Sequence, residues 1–164
     1  MFRLASYLKF LLRSTNQHGL HSPFVYNFAT KCLYTKKMHR DKTAAVLLGC
    51  IGYFKVGTLH LSGDGPWKKV VERHYPRLQY DRPPFDLFFT DRLGVPEFQR
   101  LLSQGRLHND SMVLVDKIHG DPDRQRAWNA LVALPQIRVS IDLFHCGVVS
   151  TRGEQEKEHF CIRI

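Results

Sequence analysis

Four consecutive apolar residues that end abruptly in charge constrain this chain more than any other feature. Residues 112–115 are apolar, and Asp116 and Lys117 follow at once. Strands that are covered on both faces in a parallel sheet have this composition. A second run of the same form lies at residues 85–91, and residues 96–102 between the two have room for one short helix. Together they predict a strand–helix–strand unit, and therefore an α/β fold with a mostly parallel sheet.

The polar residues that follow these two runs are the natural candidates for a site. Open α/β sheets bind their ligands beyond the carboxyl ends of the strands. Asp91 follows the first run, and Asp116 and His119 follow the second. Each of the three could act as a general base or orient a bound molecule. The alternative is that they are polar strand ends and helix caps, and the sequence does not decide between the two.

A glycine turn after an earlier strand is a second candidate site. Residues 58–62 predict a short strand, and a helix is predicted to begin near Pro66. Glycines let a ligand approach the backbone, and the free amides of a helix start attract anions. The residues that could contact a ligand here are Ser62, Gly63, Asp64 and Gly65. Asp64 would repel a phosphate, and the full GxGxxG pattern is absent, so a plain tight turn is the better interpretation.

The remaining segments complete the predicted fold. Residues 66–84 have room for one helix and a few extended residues, so they supply a single connection between two strands. Residues 44–54 predict a helix, with a strand as the competing assignment because Gly49 and Gly52 weaken it. Another helix is predicted to start at Asp121. Three closing strands are predicted to be antiparallel because their connections are short, at residues 137–144 (with one face less buried), 147–151 and 160–164.

The first thirteen residues predict a basic amphipathic helix. Leu4, Leu8 and Leu11 share one face, and the basic residues are Arg3, Lys9 and Arg13. Such a helix can lie on a membrane surface, although packing against the rest of the domain is the simpler interpretation. The segment lacks a secretory cleavage site and is too short to span a bilayer.

Length and charge limit the number of domains and the classes of partner. With 164 residues, 43% of them hydrophobic, the chain is expected to form one domain. We expect a helical extension at residues 1–42 and an α/β core at residues 43–164. The formal net charge of +9 favours anionic partners, but the basic residues are dispersed, which is more typical of solubility than of a nucleic-acid surface.

The cysteines and two histidines give no pattern of a metal site. The four cysteines are far apart and form no CxxC pair, which favours reduced thiols in the cytoplasm. His18 and His21 are three residues apart and could bind a metal if they were on a helix. Gly19 and its polar neighbours favour a loop, with capping or surface roles for both histidines. No metal is therefore predicted.

Four blocks of the sequence carry a family likeness: YLKFL at residues 7–11, STNQHGLHSPF at 14–24, LHNDS at 107–111, and IDLF at 141–144 through EQEKEHF at 154–160. These blocks resemble a bacterial group of class I S-adenosylmethionine-dependent methyltransferases, whereas the middle of the chain matches poorly. The resemblance implies a Rossmann-like sheet with a final antiparallel strand pair. It also implies a methyl donor over the turn at residues 62–65.

The sequence departs from the family pattern at the positions that would hold the donor. Neither His60 nor Leu61 supplies the acid that precedes the turn in the family. The family's second and third strands, whose ends hold the ribose and adenine, are expected to have no room between residues 66 and 84. The family's Asp-Gly-x-His survives only as Asp91, and its Asp-Asp-x-His pattern is Asp-Lys-Ile-His at residues 116–119. A lysine there could hold the donor's carboxylate but would repel a sulfonium or a metal cation.

Two hypotheses of different classes follow. The first is a shortened methyltransferase-like domain with impaired or lost binding of S-adenosylmethionine, its cofactor if it is active, and a small-molecule acceptor. The second is a basic, non-enzymatic binding or scaffold module. Its partner would be a nucleic acid, an anionic membrane surface or a protein, bound through the N-terminal helix or the positive surface.

Overall fold

The computed structural model describes residues 1–15, 19–63 and 65–164. The helices in this part of the chain are α1 Phe2–Arg13, α2 Pro23–Phe28, α3 Lys42–Tyr53, α4 Trp67–His74, α5 Val95–Ser103 and α6 Pro122–Ala133, with a π-helical turn, Ala29–Leu33, directly after α2. The strands are β1 Thr58–Leu61, β2 Gln79–Tyr80, β3 Phe85–Thr90, β4 Leu107–Asp116, β5 Val139–Asp142, β6 Cys146–Ser150 and β7 Glu158–Cys161.

One seven-stranded sheet runs through the molecule in the order β2-β1-β3-β4-β6-β5-β7. The first four strands in this order are parallel neighbours, and α5 makes the crossover from β3 to β4. A parallel pair requires such a crossover, because the chain must return to the starting end of the sheet. The prediction of an α/β fold with a Rossmann-like, mostly parallel sheet is confirmed.

The closing strands are antiparallel in part. β6 pairs antiparallel with both β4 and β5, as predicted. β7 pairs parallel with β5, so the prediction that all closing strands are antiparallel is wrong for β7. The reason is that β6 returns the chain to the starting end of β5. β7 can then run in the direction of β5 on its free side without a crossover helix.

β5 is buried along its whole length, where its alternating sequence predicts one less buried face. The two polar side chains on it have hydrogen-bond partners, which lowers the cost of burial. The hydroxyl of Ser140 lies 2.6 Å from Nδ1 of His159, and Oδ2 of Asp142 lies 2.7 Å from Nε2 of His119. Alternation along β5 therefore reflects polar pairing in the interior.

The segment between β1 and β3 holds one helix, as predicted, and one very short strand. α4 is followed by β2, which pairs parallel with β1 through Gln79 and Tyr80. The expectation that a second strand has no room is therefore wrong, since two extended residues suffice to join the edge. No further strand lies among the described residues of this segment.

Helices cover both faces of the sheet. Side chains alternate along a strand, so Leu87 and Leu114 join one core cluster, with α3 and α4. Phe88 and Val113 point the other way and join a second cluster, with α5 and α6. α3 is a helix, so the competing strand assignment is wrong. Its cap is Asp41, which accepts a hydrogen bond from the Ala44 amide at 2.8 Å.

α1 packs on the domain through a face that differs from the predicted one. Ser6 and Phe10 are its buried residues. Leu4 and Leu8 are 66% and 55% exposed, so most of the apolar face predicted from their spacing points to solvent, and Leu11 is half-buried. The division into an extension and a core near residue 42 stays a prediction. Within the described ranges no helix is both long and apolar enough to cross a membrane.

Candidate functional site

The parallel strands bring the predicted site residues to one edge of the sheet. Leu61 of β1 pairs with Phe89 of β3, and Thr90 of β3 pairs with Val115 of β4. The polar residues that follow these strands therefore lie side by side at their carboxyl ends, where α/β sheets bind ligands. Asp64 is outside the described residues, and its predicted role stays a prediction.

A cleft of about 450 Å³ opens at this edge. Its volume is in the range of small-molecule sites. Among the predicted site residues, Gly65, Asp116 and His119 border it. Lys117, which the sequence suggests as a partner for the donor's carboxylate, also borders it. The sequence assigns no site role to the remaining lining residues, which are Arg3, Asp41, Thr43, Pro66, Trp67, Gly120, Phe144 and His145.

Asp116 is the acid in the cleft with an unused oxygen. The carboxylate is 2% exposed, and Thr43 donates a hydrogen bond to its Oδ1 at 2.9 Å. Oδ2 is buried without a hydrogen-bond partner, and the Lys117 ammonium is 3.7 Å away. Burial raises the pKa of Asp116, against the Thr43 hydrogen bond and the Lys117 charge, which lower it. A ligand that donates a hydrogen bond to Oδ2 would satisfy this atom.

Trp67 supplies an unused donor to the same cleft. Its indole Nε1 is buried without a hydrogen-bond partner, and the side chain is 8% exposed. The ring lies over Gly65, where an added Cβ would be 2.5 Å from Nε1. The sequence predicts Trp67 only as part of the buried face of a helix. The alternation of apolar residues gives no signal of an unsatisfied indole.

Two residues beside the cleft have left-handed backbones. Lys117 has φ 52° and Phe144 has φ 67°. Residues other than glycine rarely adopt this conformation, and strained backbone of this kind clusters at functional sites. Lys117 is held by a 2.7 Å hydrogen bond from its amide to the His145 carbonyl. The sequence contains no signal of either feature, because both depend on how the end of β4 meets the turn between β5 and β6.

Charges of both signs border the cleft, since the acids Asp41 and Asp116 line it together with two basic residues. Arg3 and Lys117 border it, and the Lys117 side chain is 59% exposed. Burial lowers the pKa of His145, and the neighbouring Lys42 and Arg3 charges lower it further. The imidazole is therefore neutral at neutral pH. The cleft can accept a small polar molecule that carries an anionic group as well as a hydrogen-bond donor for Asp116.

Gly63, the first glycine of the predicted turn, packs closely against the residue that follows β3. Gly63 has φ 105°, and a Cβ on it would be 2.8 Å from Cβ of Asp91. The Ser62 amide donates to the Phe89 carbonyl at 3.0 Å. Neither Ser62 nor Gly63 is among the described residues that border the cleft. The structure therefore supplies a packing reason for this glycine, in line with the simpler interpretation.

Asp91 and His119, the other two candidates for catalysis, are already partnered. Arg124 donates a hydrogen bond to the Asp91 carbonyl, and its Nη2 is 3.6 Å from the Asp91 carboxylate. Nε2 of His119 lies 2.7 Å from Oδ2 of Asp142. On the other side of the ring, Nδ1 lies 2.5 Å from the Ser6 hydroxyl and 3.0 Å from the side-chain amide nitrogen of Gln125. One tautomer fits this network: Nε2–H donates to Asp142, and Nδ1 accepts.

An acid follows the second strand after all. Asp81 comes directly after β2, and its Oδ1 lies 2.6 Å from Nδ1 of His60. Because Leu59 pairs with Tyr80, Asp81 is level with the middle of β1 and not with its carboxyl end. This acid could not be recognised from the sequence, since a strand of two residues has no periodicity.

Of the two loop histidines that were weighed as metal ligands, His21 is the one that the structure describes. His18 lies outside the described residues, and His21 is exposed. In residues 1–15, 19–63 and 65–164 no group of three or more His, Cys, Asp or Glu side chains could hold a metal ion.

All four cysteines are free thiols, and burial raises the pKa of Cys161 to about 11.

Comparisons with known proteins give one similarity in structure. No family model and no curated protein matches the chain. A solved structure, the SAH-bound methyltransferase PaMTH1 of Podospora anserina, is similar over 90% of this chain and 93% of that chain, with 12% sequence identity and a TM-score of 0.48. The fold assignment above rests on the strand order and register of this chain itself.

Proposed function

We propose that this protein is a methyltransferase-like α/β domain whose binding of S-adenosylmethionine is impaired. The observation that carries the proposal is the short passage between β1 and β3. It leaves β2 with two residues, and the acid after it, Asp81, is engaged by His60 at 2.6 Å. Asp81 is also level with the middle of β1 and not with its end, so the sugar end of the donor would have no carboxylate from β2 at the carboxyl edge of the sheet.

The residues present do not fit the whole donor. At one end of the cleft, Asp116 and Lys117 offer an acceptor and a cation to an amino-acid group. At the other end, the sugar hydroxyls would lose their partners on binding, and each unpaired polar group costs about 1–3 kcal/mol. Two such groups would weaken binding by roughly thirtyfold or more.

If chemistry persists, Asp116 is the candidate for proton transfer. Of the three acids and bases predicted to act, Asp91 is paired with Arg124, and His119 is hydrogen-bonded through both nitrogens. Asp116 keeps a free oxygen and a raised pKa, both suited to accept a proton from a small acceptor molecule held in the cleft. Asp91 and His119 would then position the walls of the site.

We also propose that the chain acts in the bacterial cytoplasm. Its thiols are unpaired, and three of the four are buried. Free thiols persist in a reducing compartment. The proposal is tested by localising a tagged chain in fractionated cells.

Isothermal titration tests the proposal on donor binding. S-adenosylmethionine and S-adenosylhomocysteine are titrated into the full chain, with Asp116→Asn as the variant of the cleft. We expect millimolar affinity or no heat from either molecule. A micromolar dissociation constant in the wild type that is lost in Asp116→Asn contradicts the proposal, because it requires a complete donor site.

A further inference from the structure

α1 carries an apolar stripe that faces away from the domain. Leu4, Leu8 and Leu12, the leucine stripe, are 66%, 55% and 88% exposed. At 3.6 residues per turn these three side chains share one face of the helix. The buried residues Ser6 and Phe10 lie on the opposite face. Single exposed leucines are ordinary, but an aligned set on one helix marks an interaction surface.

The charges of α1 have one sign. Arg3, Lys9 and Arg13 are exposed, and the helix contains no aspartate or glutamate. The whole chain carries a formal charge of +9. By helical spacing Lys9 lies beside the leucine stripe, whereas Arg3 and Arg13 lie nearer the docked face. A partner of α1 must therefore offer a hydrocarbon surface to the leucine stripe and negative charge at its margins.

This combination selects among the possible occupants. A second copy of α1 would bring like charges together with no acid on the helix to offset them. Nucleic acid would satisfy the basic residues through its phosphates but would leave the leucine stripe in water. An anionic bilayer supplies acyl chains and charged headgroups at the same surface. We propose that α1 lies on anionic membranes, with the leucine stripe in the interface and its basic side chains at the headgroups.

The docked face of α1 makes this binding compatible with the folded domain. Ser6 and Phe10 keep the helix attached while the leucine stripe contacts lipid, so no rearrangement is required. Arg3 also borders the cleft, which therefore opens beside the membrane surface. The inference does not depend on binding of a methyl donor.

Vesicle flotation of the full chain tests the proposal. Vesicles of phosphatidylcholine alone are compared with vesicles that also contain phosphatidylserine. We expect binding to the anionic vesicles only, weakened more than tenfold by Leu4→Ser, Leu8→Ser and Leu12→Ser together. Replacing the three basic residues of α1 by glutamine should cost about fivefold each. The matched control, Lys68→Gln, Lys69→Gln and Arg73→Gln on the exposed face of α4, removes the same charge and should bind nearly as the wild type.

A reporter on α1 gives a second reading that does not require the serine variant to fold. In Leu8→Trp the new indole should shift its emission to shorter wavelength with anionic vesicles and not with neutral ones. The proposal is overturned if the leucine variant binds vesicles as the wild type does, or if the α4 control loses as much binding as the α1 variant. It is also overturned if the leucine stripe governs dimer formation in sedimentation equilibrium, or if Leu8→Trp emission does not change.

Discussion

The hydroxyl of Ser6 lies 2.5 Å from Nδ1 of His119, a residue 113 positions later in the chain. Both side chains are buried, and the imidazole is held on its other side by Asp142. α1 is thus joined to the carboxyl edge of the sheet by a polar contact as well as by the Phe10 side chain. This contact can be broken without touching the apolar core.

The first prediction concerns Ser6. Ser6→Ala removes the hydrogen bond to His119, although Gln125 still donates to the same nitrogen. We expect the free energy of unfolding to fall by about 1 kcal/mol, with faster hydrogen exchange in α1 amides and little change in the sheet. Ser103→Ala, which removes an exposed hydroxyl contact, is the control and should have a smaller effect. Unchanged exchange in α1 would mean that the contact does not fasten the helix.

The second prediction concerns the pH dependence due to Asp116. Burial raises its pKa in the folded state, so the folded state holds a proton more tightly than the unfolded one. The wild type therefore loses stability as pH rises from about 4, the unfolded value, through the raised folded pKa. Asp116→Asn lacks this loss and should be more stable than the wild type at pH 7, by on the order of 1 kcal/mol.

Denaturant titrations at pH 4 and pH 7 check this prediction. Asp110→Asn changes an exposed carboxylate and serves as the control, since it should shift both titrations little. An Asp116→Asn variant that is less stable than the wild type at pH 7 would show that neighbouring groups stabilise the charged carboxylate enough to offset its burial.

The third prediction concerns Asp86, whose contribution to stability changes with pH in the opposite direction to that of Asp116. Asp86 is partly buried, which raises its pKa, but hydrogen bonds from the Thr58 and Gly57 amides and from His108 outweigh this and lower it. The stability it contributes is present above its unfolded pKa and is lost as pH falls through the lower folded pKa. Asp86→Asn should therefore be less stable than the wild type at pH 7. The side chain is 36% exposed, so solvent screening keeps the loss on the order of 1 kcal/mol.

Thermal unfolding across a pH series measures this effect. The difference between wild type and Asp86→Asn should shrink as the pH falls from about 4 through the lowered folded pKa of Asp86, because the wild-type side chain is then protonated as well. A constant difference at all pH values would assign the loss to the geometry of the amide and not to charge.

The fourth prediction concerns packing between β6 and α6. A Cβ on Gly147 would overlap the ring of Trp128, which lies directly on this strand. Gly147→Ala should destabilise the fold by about 1–3 kcal/mol, the usual cost of overpacking. Gly153→Ala is the control, because its Cβ would be 3.6 Å from the nearest atom. Trp128→Leu in the same chain should recover part of the loss, and additive losses in a double-mutant cycle would contradict the proposed overlap.

The strands of the sheet could be predicted from the sequence where a strand's own composition shows that both of its faces are buried. The runs that became β3 and β4 are apolar on both faces, so composition alone identifies them. The positions of Asp91 and Asp116 follow from the strand ends. The pairing partner of β7 could not be predicted, because it depends on where β6 returns the chain. The side of β5 on which β7 lies is decided by the whole sheet.

The candidate site was less accessible to sequence reasoning. The spacing of Leu4 and Leu8 shows that they share a face, but it cannot say which face of α1 meets the domain. Asp81 follows a strand too short to have a pattern, and the free atoms of Trp67 and Asp116 depend on what their neighbours already bind. Which donors and acceptors are left without a partner is decided only by the folded structure.

The two edges of the sheet have a consequence for self-association. β2 offers a neighbour only two residues, and the outer side of β7 is partly occupied by Thr15, whose amide donates to the Cys161 carbonyl at 2.8 Å. Exposed strand edges are the template on which other polypeptides add to form fibrils. Because β2 is too short and β7 is partly covered, the folded chain resists the addition of a strand from another molecule at either edge of the sheet. The leucine stripe of α1 is not involved in this protection and stays free to bind a partner.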